Sequence, residues 1–445
     1  MPDDAPLRRL IGNRYALGVA FFVVQAVVGW RALQLHGLGD VRTYSGWAAH
    51  CFVTGDLLGI THPWVYPVLA SPPILLAGVF GSAAYLVVWV AITTASDAVV
   101  VVLLARRDLA LGWWFLLVVL LLGPVTHARI DEVVLPFTVG GVLLIRSRPA
   151  LAAVLFTLGA WIKVWPALLV IALLVAGRRR LAVLGAAAGT CTVVIGSAVA
   201  LGASGGTLFS FIGTQSSRGL QIEAPAAAPF LWSVATGQHG ARIYFDKTLL
   251  TEQVAASGTH IAAIIATPIL AAGVLIILGL AVRGGLRGAP SDHVLALTAM
   301  SLLSAVIALN KVGSPQYITW YVAPVVLGLI TMGRQWWFPA VAVPATALLT
   351  QVIYPTAYPL VLRADPALLA VLDLRDLLEL ALLAWALLQL LLLRRTQAQQ
   401  RWFSYVAGRR SRPPRGKSTK TPSPDLSQPT RGATTGFSPP SGESV

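Results

Sequence analysis

Apolar residues run along this chain in long unbroken stretches with no period-two alternation, which predicts membrane-crossing α-helices rather than barrel strands. The first stretch, Tyr15 to Leu35, has 21 residues, close to the ~20 that a full crossing needs. Short arginine clusters separate the stretches: Arg106/Arg107, Arg146/Arg148, Arg178–Arg180, Arg283/Arg287, Arg334 and Arg394/Arg395. Basic clusters mark the cytoplasmic side. With Arg8, Arg9 and Arg14 placed inside, the pattern predicts 12 crossings and two cytoplasmic ends. After the first come Ser82–Ala105, Leu109–Thr126, Val133–Ile145, Pro149–Ile162, Val164–Ala176 and Leu181–Leu201. His260–Val282, His293–Leu309, Tyr317–Met332, Trp336–Tyr354 and Leu372–Leu393 complete the set. Several of these have only 13 or 14 residues. The apolar piece Trp64–Phe80 reads as an outer-face or re-entrant helix. Tyr44, Trp47, Ala48, Cys51 and Phe52 recur at helical spacing and predict a short amphipathic helix in the interface of the first outer loop.

Composition sharpens this picture. Of 445 residues 56% are hydrophobic and 11% charged, which excludes an ordinary water-soluble enzyme and, for the bulk of the chain, disorder. The expected class is an all-α polytopic membrane protein. A net charge of +15 invites a nucleic-acid reading, but much of the excess lies after Arg394, where ten Lys/Arg face two acids. That segment, 394–445, is rich in Pro, Ser, Thr, Gly and Arg and is expected to be a disordered basic cytoplasmic tail, as residues 1–14 are expected to be a cytoplasmic N-terminus. The membrane-embedded part is then 15–393. Cys51 and Cys191 form no disulfide framework and no CxxC pair. The first apolar stretch has no small-residue cleavage site and reads as a retained span.

With this topology six polar islands share the outer face. They are Asp40–Tyr44, His62–Pro67, His127–Glu132, Lys163–Pro166, the loop Gly202–Gly258 with Arg218 and Glu223, and Asn310–Tyr317. Ionisable groups cost several kcal/mol at bilayer depth, so they face a cavity or a partner. A transporter places such groups near the midplane; crowding at one surface suits an enzyme working there on a lipid. Each residue also has a plainer reading. Asp40 stands where a helix N-cap would stand. Lys163, Lys311 and Arg218 read as snorkelling or surface cations, although Pro166 breaks the helix beside Lys163 and would fix its ammonium where a phosphate could bind. His127, Arg129, Asp131 and Glu132 could pair among themselves, Asp97 pairs locally, and Asp373, Arg375, Asp376 and Glu379 pair at the outer end of the last span. No HExxH or Walker pattern, no GxGxxG opening a helix after a strand and no GxSxG nucleophile elbow occurs, so no metal, nucleotide or other cofactor is expected, and a divalent cation is not indicated by any motif.

Four motifs in order carry a family resemblance: Asp40-x-x-x-Tyr44, Tyr66-Pro67, Lys163-x-x-Pro166, and Ser314-Pro315-Gln316-Tyr317 preceded by Asn310-Lys311. From residue 15 to about 393 the chain resembles the glycosyltransferase C superfamily, and within it the polyprenyl-phosphate-mannose-dependent α-mannosyltransferases of actinobacteria. Where that family often has Tyr-Pro-Pro and Gly-Gln-x-Asn, this chain has Tyr66-Pro67-Val68 and the His127–Glu132 stretch. The resemblance implies transfer of a sugar, mannose or arabinofuranose, from a polyprenyl-phosphate donor to a lipid or glycan acceptor at the extracytoplasmic side of the plasma membrane. It implies Asp40 as the base, by match to the acidic residue of the family's first loop. Lys163, Lys311 and Arg218 are then the clamp on the donor phosphate, and Tyr44, His127, Asp131, Glu132 and Gln316 position the substrates. Membrane lipids are the surroundings, and no nucleic-acid partner is expected. A lipid or solute transporter, and a scaffold docking partners through its basic tail, are the competing readings.

Overall fold

The computed structural model describes residues 12–216, 219–247 and 251–393. The tail over 394–445 and most of the N-terminal segment lie outside them. The described chain is mostly helical, and its helices run back and forth between two ends of one bundle.

Helix α1 spans Arg14–Gln34, with the Asn13 side chain accepting from the backbone of Tyr15 and Ala16. The amphipathic segment forms α2, Asp40–Thr54, and the Trp64–Phe80 piece holds a 3-10 turn, Val68–Ala70, leading into the short helix α3, Ser71–Gly78. Then come α4 (Tyr85–Arg107), α5 (Leu109–Leu122), α6 (Asp131–Leu144), α7 (Pro149–Ile162), α8 (Ala167–Ala176) and α9 (Arg180–Ala200). After a connecting region come α11 (Thr259–Leu286), α12 (Ser291–Ala308), α13 (Val322–Met332), α14 (Trp337–Gln351) and α15 (Pro366–Leu392), α10 being a short helix of that region, Ala228–Ala235. Several of these starts follow from sequence. Pro149 and Pro366 occupy first helical positions, where a missing N–H costs nothing, and the carboxylates of Asp108 and Asp365 cap α5 and α15.

Among the described residues, seven helical segments are long and apolar enough to cross a membrane. The sequence pattern counts more crossings because it scores every apolar run, whereas α7 and α8, with 14 and 10 residues, are shorter than a bilayer core. Burial sorts the long helices into two kinds. In α12, 78% of the most apolar window is buried, in α11 only 11%. Both are apolar all round, so α12 is the packed centre, against α8, α11, α13 and α15, and α11 presents its side chains outward as a lipid-facing helix does.

The arginine clusters gather at one end. Arg146, after α6, bonds Asp292 at the start of α12 at 2.6 Å, and Arg178, after α8, bonds Ser291 at 3.2 Å. Since α6 runs from Asp131 to that end and α7 returns from it to Lys163, the polar islands gather at the opposite end, about 20 Å away at 1.5 Å per residue. There the region 202–258 is structured rather than a plain loop. It holds α10 and a hairpin of β1 (Arg242–Asp246) and β2 (Thr251–Ala255), with Tyr244 opposite Gln253, an addition to the all-α expectation. The hairpin needs only one buried stripe, Val254 inward with Ile243 packed beside it, too short an alternation to stand out beside the helical runs.

Candidate active site

Gly39 has φ +88, a backbone angle that side chains resist, and this turn starts α2 at Asp40. The capping position is thus the glycine, and Asp40 lies inside the first turn with no capping bond. This corrects the N-cap reading. The freed carboxylate, with its side chain 39% exposed, forms an ion pair with Arg129, whose side chain is 11% exposed.

Two residues beyond Arg129, Asp131 opens α6 and is fully buried. Its Oδ2 lies 3.1 Å from Lys163 Nζ, and its Oδ1 accepts from Trp320 Nε1 at 2.6 Å. Lys163 is the extended residue that ends α7; with Pro166 forming the next turn, its stem is aimed into the bundle instead of running on along a helix. Its ammonium also sits 4.8 Å from the centroid of the Tyr66 ring, a cation–π contact. The Tyr66 hydroxyl meets that of Tyr44 at 3.2 Å, and Trp47 and Trp64 pack on Tyr66 edge to face. Trp320 stacks on Trp165 and lies 4.1 Å from Tyr317. One row of charges, Asp40, Arg129, Asp131 and Lys163, is therefore held between two aromatic clusters.

The environment acts on these groups in traceable ways. Burial, reinforced by Tyr66, raises the pKa of the Tyr44 phenol well above its ordinary value. Burial pulls the Lys163 ammonium down, but Asp131, Tyr66 and Tyr317 outweigh it and raise the net value, so the amine stays charged. Its charge is compensated on one side by Asp131, which leaves N–H donors for a second anion.

Glu223, from the loop between α9 and α11, is buried beside this row. Burial raises its pKa to about 7 against the lowering pull of Arg375 and Arg129. Arg375 Nη2 donates to the Glu223 carbonyl at 2.6 Å and to Asp376 Oδ1 at 2.6 Å. Tyr354 donates to the Leu38 carbonyl, just before α2. Arg375 is therefore more than the local pairing expected of the last span: it anchors the outer region to α15. Trp232 Nε1 likewise donates to Asp373 at 2.7 Å.

The other candidates are placed as follows. Gln316 is buried and accepts from Ser314 Oγ at 2.7 Å. The Lys311 backbone carbonyl accepts from Gln221 N, which joins its turn to the outer region. His127 and Glu132 are fully buried behind the row. His127 Nδ1 is 2.8 Å from Thr93 Oγ1, and its carbonyl accepts from Trp89 Nε1. Glu132 faces inward toward Asp97, which accepts from Gln25 at 2.7 Å, a partner in another helix and so not the local pairing expected. Arg218 lies outside the described residues. The sequence reading gives no place in the site to Arg129, expected to pair within its own stretch, to Tyr66, Glu223 and Arg375, which it names, or to Trp320, which it does not; all needed the fold to be seen together. The available signal is that Arg129, Tyr66 and Glu223 lie in polar islands and Trp320 beside one, while Arg375 belongs to the charged cluster of the last span.

No cofactor is expected from the motifs. Among the described residues one cluster, His50, Asp56 and His62, has three metal-ligating side chains in reach of one another; it lies at the far end of α2 from Asp40.

Comparison with known proteins gives a family. The model of glycosyltransferase family 87 matches residues 64–315, more than half of the chain, and the chain belongs to that family, which is of the glycosyltransferase C type. The match includes Tyr66, the His127–Glu132 stretch, Lys163, Glu223 and Lys311; Asp40, Tyr44 and Gln316 fall outside it. No curated protein and no solved structure matches the chain.

Proposed function

For this member of glycosyltransferase family 87, a membrane glycosyltransferase, we propose that the sugar is mannose, that the donor is a polyprenyl phosphate, and that a lipid or glycan acceptor is modified at the extracytoplasmic end of a bundle of 12 crossings in the plasma membrane. The observation that carries this reading is the row Asp40–Arg129…Asp131–Lys163, which sets a partly exposed carboxylate and two cations at one end of a bundle of apolar helices. A polyprenyl donor asks for that combination: a charged pocket for its phosphate within reach of an apolar surface for its tail. An open apolar surface formed by Phe52, Val53 and Val79 lies between α2 and α3 and suits the isoprenoid.

In the proposed reaction Asp40 accepts the proton of the acceptor hydroxyl as its oxygen bonds to the anomeric carbon. The bond from that carbon to the phosphate oxygen breaks, and the anomeric centre inverts. Polyprenyl phosphate leaves with the electron pair, its growing charge met by Lys163, with Arg129 and Lys311 as further cations. Arg218 is a fourth candidate for this clamp. The leaving phosphate needs no general acid. Tyr44, Asp131 and Gln316 orient the sugar and acceptor, and His127 and Glu132 act from behind as supports for Asp131 and its helix.

The test uses membranes with and without the protein, supplied with radiolabelled polyprenyl-phosphate mannose. Labelled lipid or glycan is expected only with the native chain and not with Asp40→Asn, although that variant accumulates and stays folded. Turnover by Asp40→Asn would remove Asp40 as the base; label drawn from polyprenyl-phosphate arabinofuranose alone would reassign the donor.

A further inference from the structure

We propose that His50, Asp56 and His62 bind one divalent transition-metal ion of the zinc type, which clips the loop carrying Trp64 and Tyr66 to the end of α2. The inference rests on this cluster alone and is independent of the proposed sugar transfer.

The chain builds the cluster from local parts. His50 lies in the last turns of α2, which stops at Thr54 with Gly55 in a left-handed cap at φ +76. That cap turns the chain back, so Asp56 comes to face the helix it has just left. The Asp56 backbone N–H donates to Thr54 Oγ1 at 3.2 Å, and Thr61 Oγ1 donates to Asp56 Oδ1 at 3.4 Å. One carboxylate oxygen is thereby engaged and the other, Oδ2, is turned to the imidazoles. It lies 3.2 Å from His50 Nε2 and 3.1 Å from His62 Nε2. All three ligand atoms lie within 4.8 Å of one another.

The tautomer of His62 makes the argument for a cation. Its Nδ1 is 2.9 Å from the Thr61 carbonyl. A carbonyl only accepts, so Nδ1 carries the proton, the same arrangement that holds metal-ligating histidines in their working tautomer. With Nδ1 so engaged, Nε2 is the ring atom left to act as a ligand, and it faces Asp56 Oδ2 at 3.1 Å. His50 Nε2 reaches the same carboxylate oxygen at 3.2 Å, so one metal ion can take all three groups at once. The two N···O separations match the ~3.3 Å edge of a tetrahedron with ~2.0 Å metal–ligand bonds. Two nitrogens and a carboxylate oxygen are a zinc-type set, with the remaining position left to water. The half-exposed imidazoles, at 54% and 57%, leave the ion a way in.

The clip has a structural consequence. Residues 55–67 close on α2 between the cluster and the aromatic contacts of Trp47 with Trp64 and Tyr66, and Tyr66 is the ring beneath Lys163. A bound ion would hold the loop at Asp56 and His62, and the aromatic contacts hold its far end.

The experiment uses the full-length, tag-free protein in detergent, stripped with a chelator, then titrated with Zn²⁺ against a chromophoric competitor and, separately, with Co²⁺. About one equivalent of Zn²⁺ per chain and a tetrahedral Co²⁺ visible spectrum are expected. Both should vanish in His62→Ala and in Asp56→Asn and persist in His239→Ala, an exposed histidine elsewhere. Zinc should also raise the melting temperature of the native chain and not that of His62→Ala. Should His62→Ala fail to accumulate, His50→Asn reports the same loss. Absence of stoichiometric binding, or binding that survives these substitutions, overturns the metal site.

Discussion

The ammonium of Lys163 lies 3.1 Å from Asp131 Oδ2, and neither residue has that partner by accident of neighbourhood: one ends α7, the other begins α6. Removing one member of a buried pair strands the other charge at a cost of roughly 3–5 kcal/mol. Lys163→Met is therefore expected to lower both stability and donor use. The double change Lys163→Met with Asp131→Asn relieves the stranded carboxylate and should recover most of the melting temperature while donor use stays lost. Thermal melts in detergent, read beside the apparent KM for the donor, separate the structural share of Lys163 from its proposed share in phosphate binding.

Gly313 abuts the backbone of Glu223 and Ala224, and an added Cβ would run into it. The outer region and the 310–317 turn can approach this closely only because no side chain intervenes. Gly313→Ala should push them apart, costing about 1–3 kcal/mol as overpacking does. A lowered melting temperature checks this, with Gly205→Ala, where nothing lies within 4 Å, as the neutral control.

Glu223 is held at a pKa of about 7, above its ordinary 4.5, by burial. Between those two values the folded chain binds a proton that the unfolded chain has released. Stability contributed by this group is therefore greatest at acid pH and declines as pH rises from about 4.5 to about 7. Glu223→Gln should flatten that part of the curve of melting temperature against pH. An unchanged slope would mean that Arg375 compensates the carboxylate fully at every pH.

The proposed orientation has a direct check. A cysteine in place of Lys311, in a background with Cys51 and Cys191 replaced by alanine and serine, is expected to react with an impermeant maleimide on intact cells. Labelling only after the membrane is opened would place the site end in the cytoplasm.

Asp40 and Lys163 show how much of the site was readable before folding. Both were marked because an ionisable residue between apolar runs is costly unless it has a task, and a one-dimensional pattern is enough to see that cost. The arginine clusters assigned such residues to a shared side, and the helix over Asp40–Thr54 followed from the spacing of Tyr44, Ala48 and Cys51. Span counting was harder, since hydropathy sees a run and not the length of helix it forms: seven helical segments among the described residues reach crossing length, while α7 and α8 have 14 and 10 residues.

The sequence by itself determined the class of this protein and the set of charged residues set apart from the apolar runs, because the cost of placing charge in an apolar medium depends on composition alone. Tertiary structure alone decided the pairing. Arg129 could have met Asp131 or Glu132 two and three residues away, yet it meets Asp40 across 89 positions. Glu132 turns inward to Asp97 while Asp131 turns to Lys163, since on a helix consecutive residues face about 100° apart. Which of two adjacent carboxylates enters the site is fixed by how α6 is rotated against α4 and α7, and rotation is a property of packing.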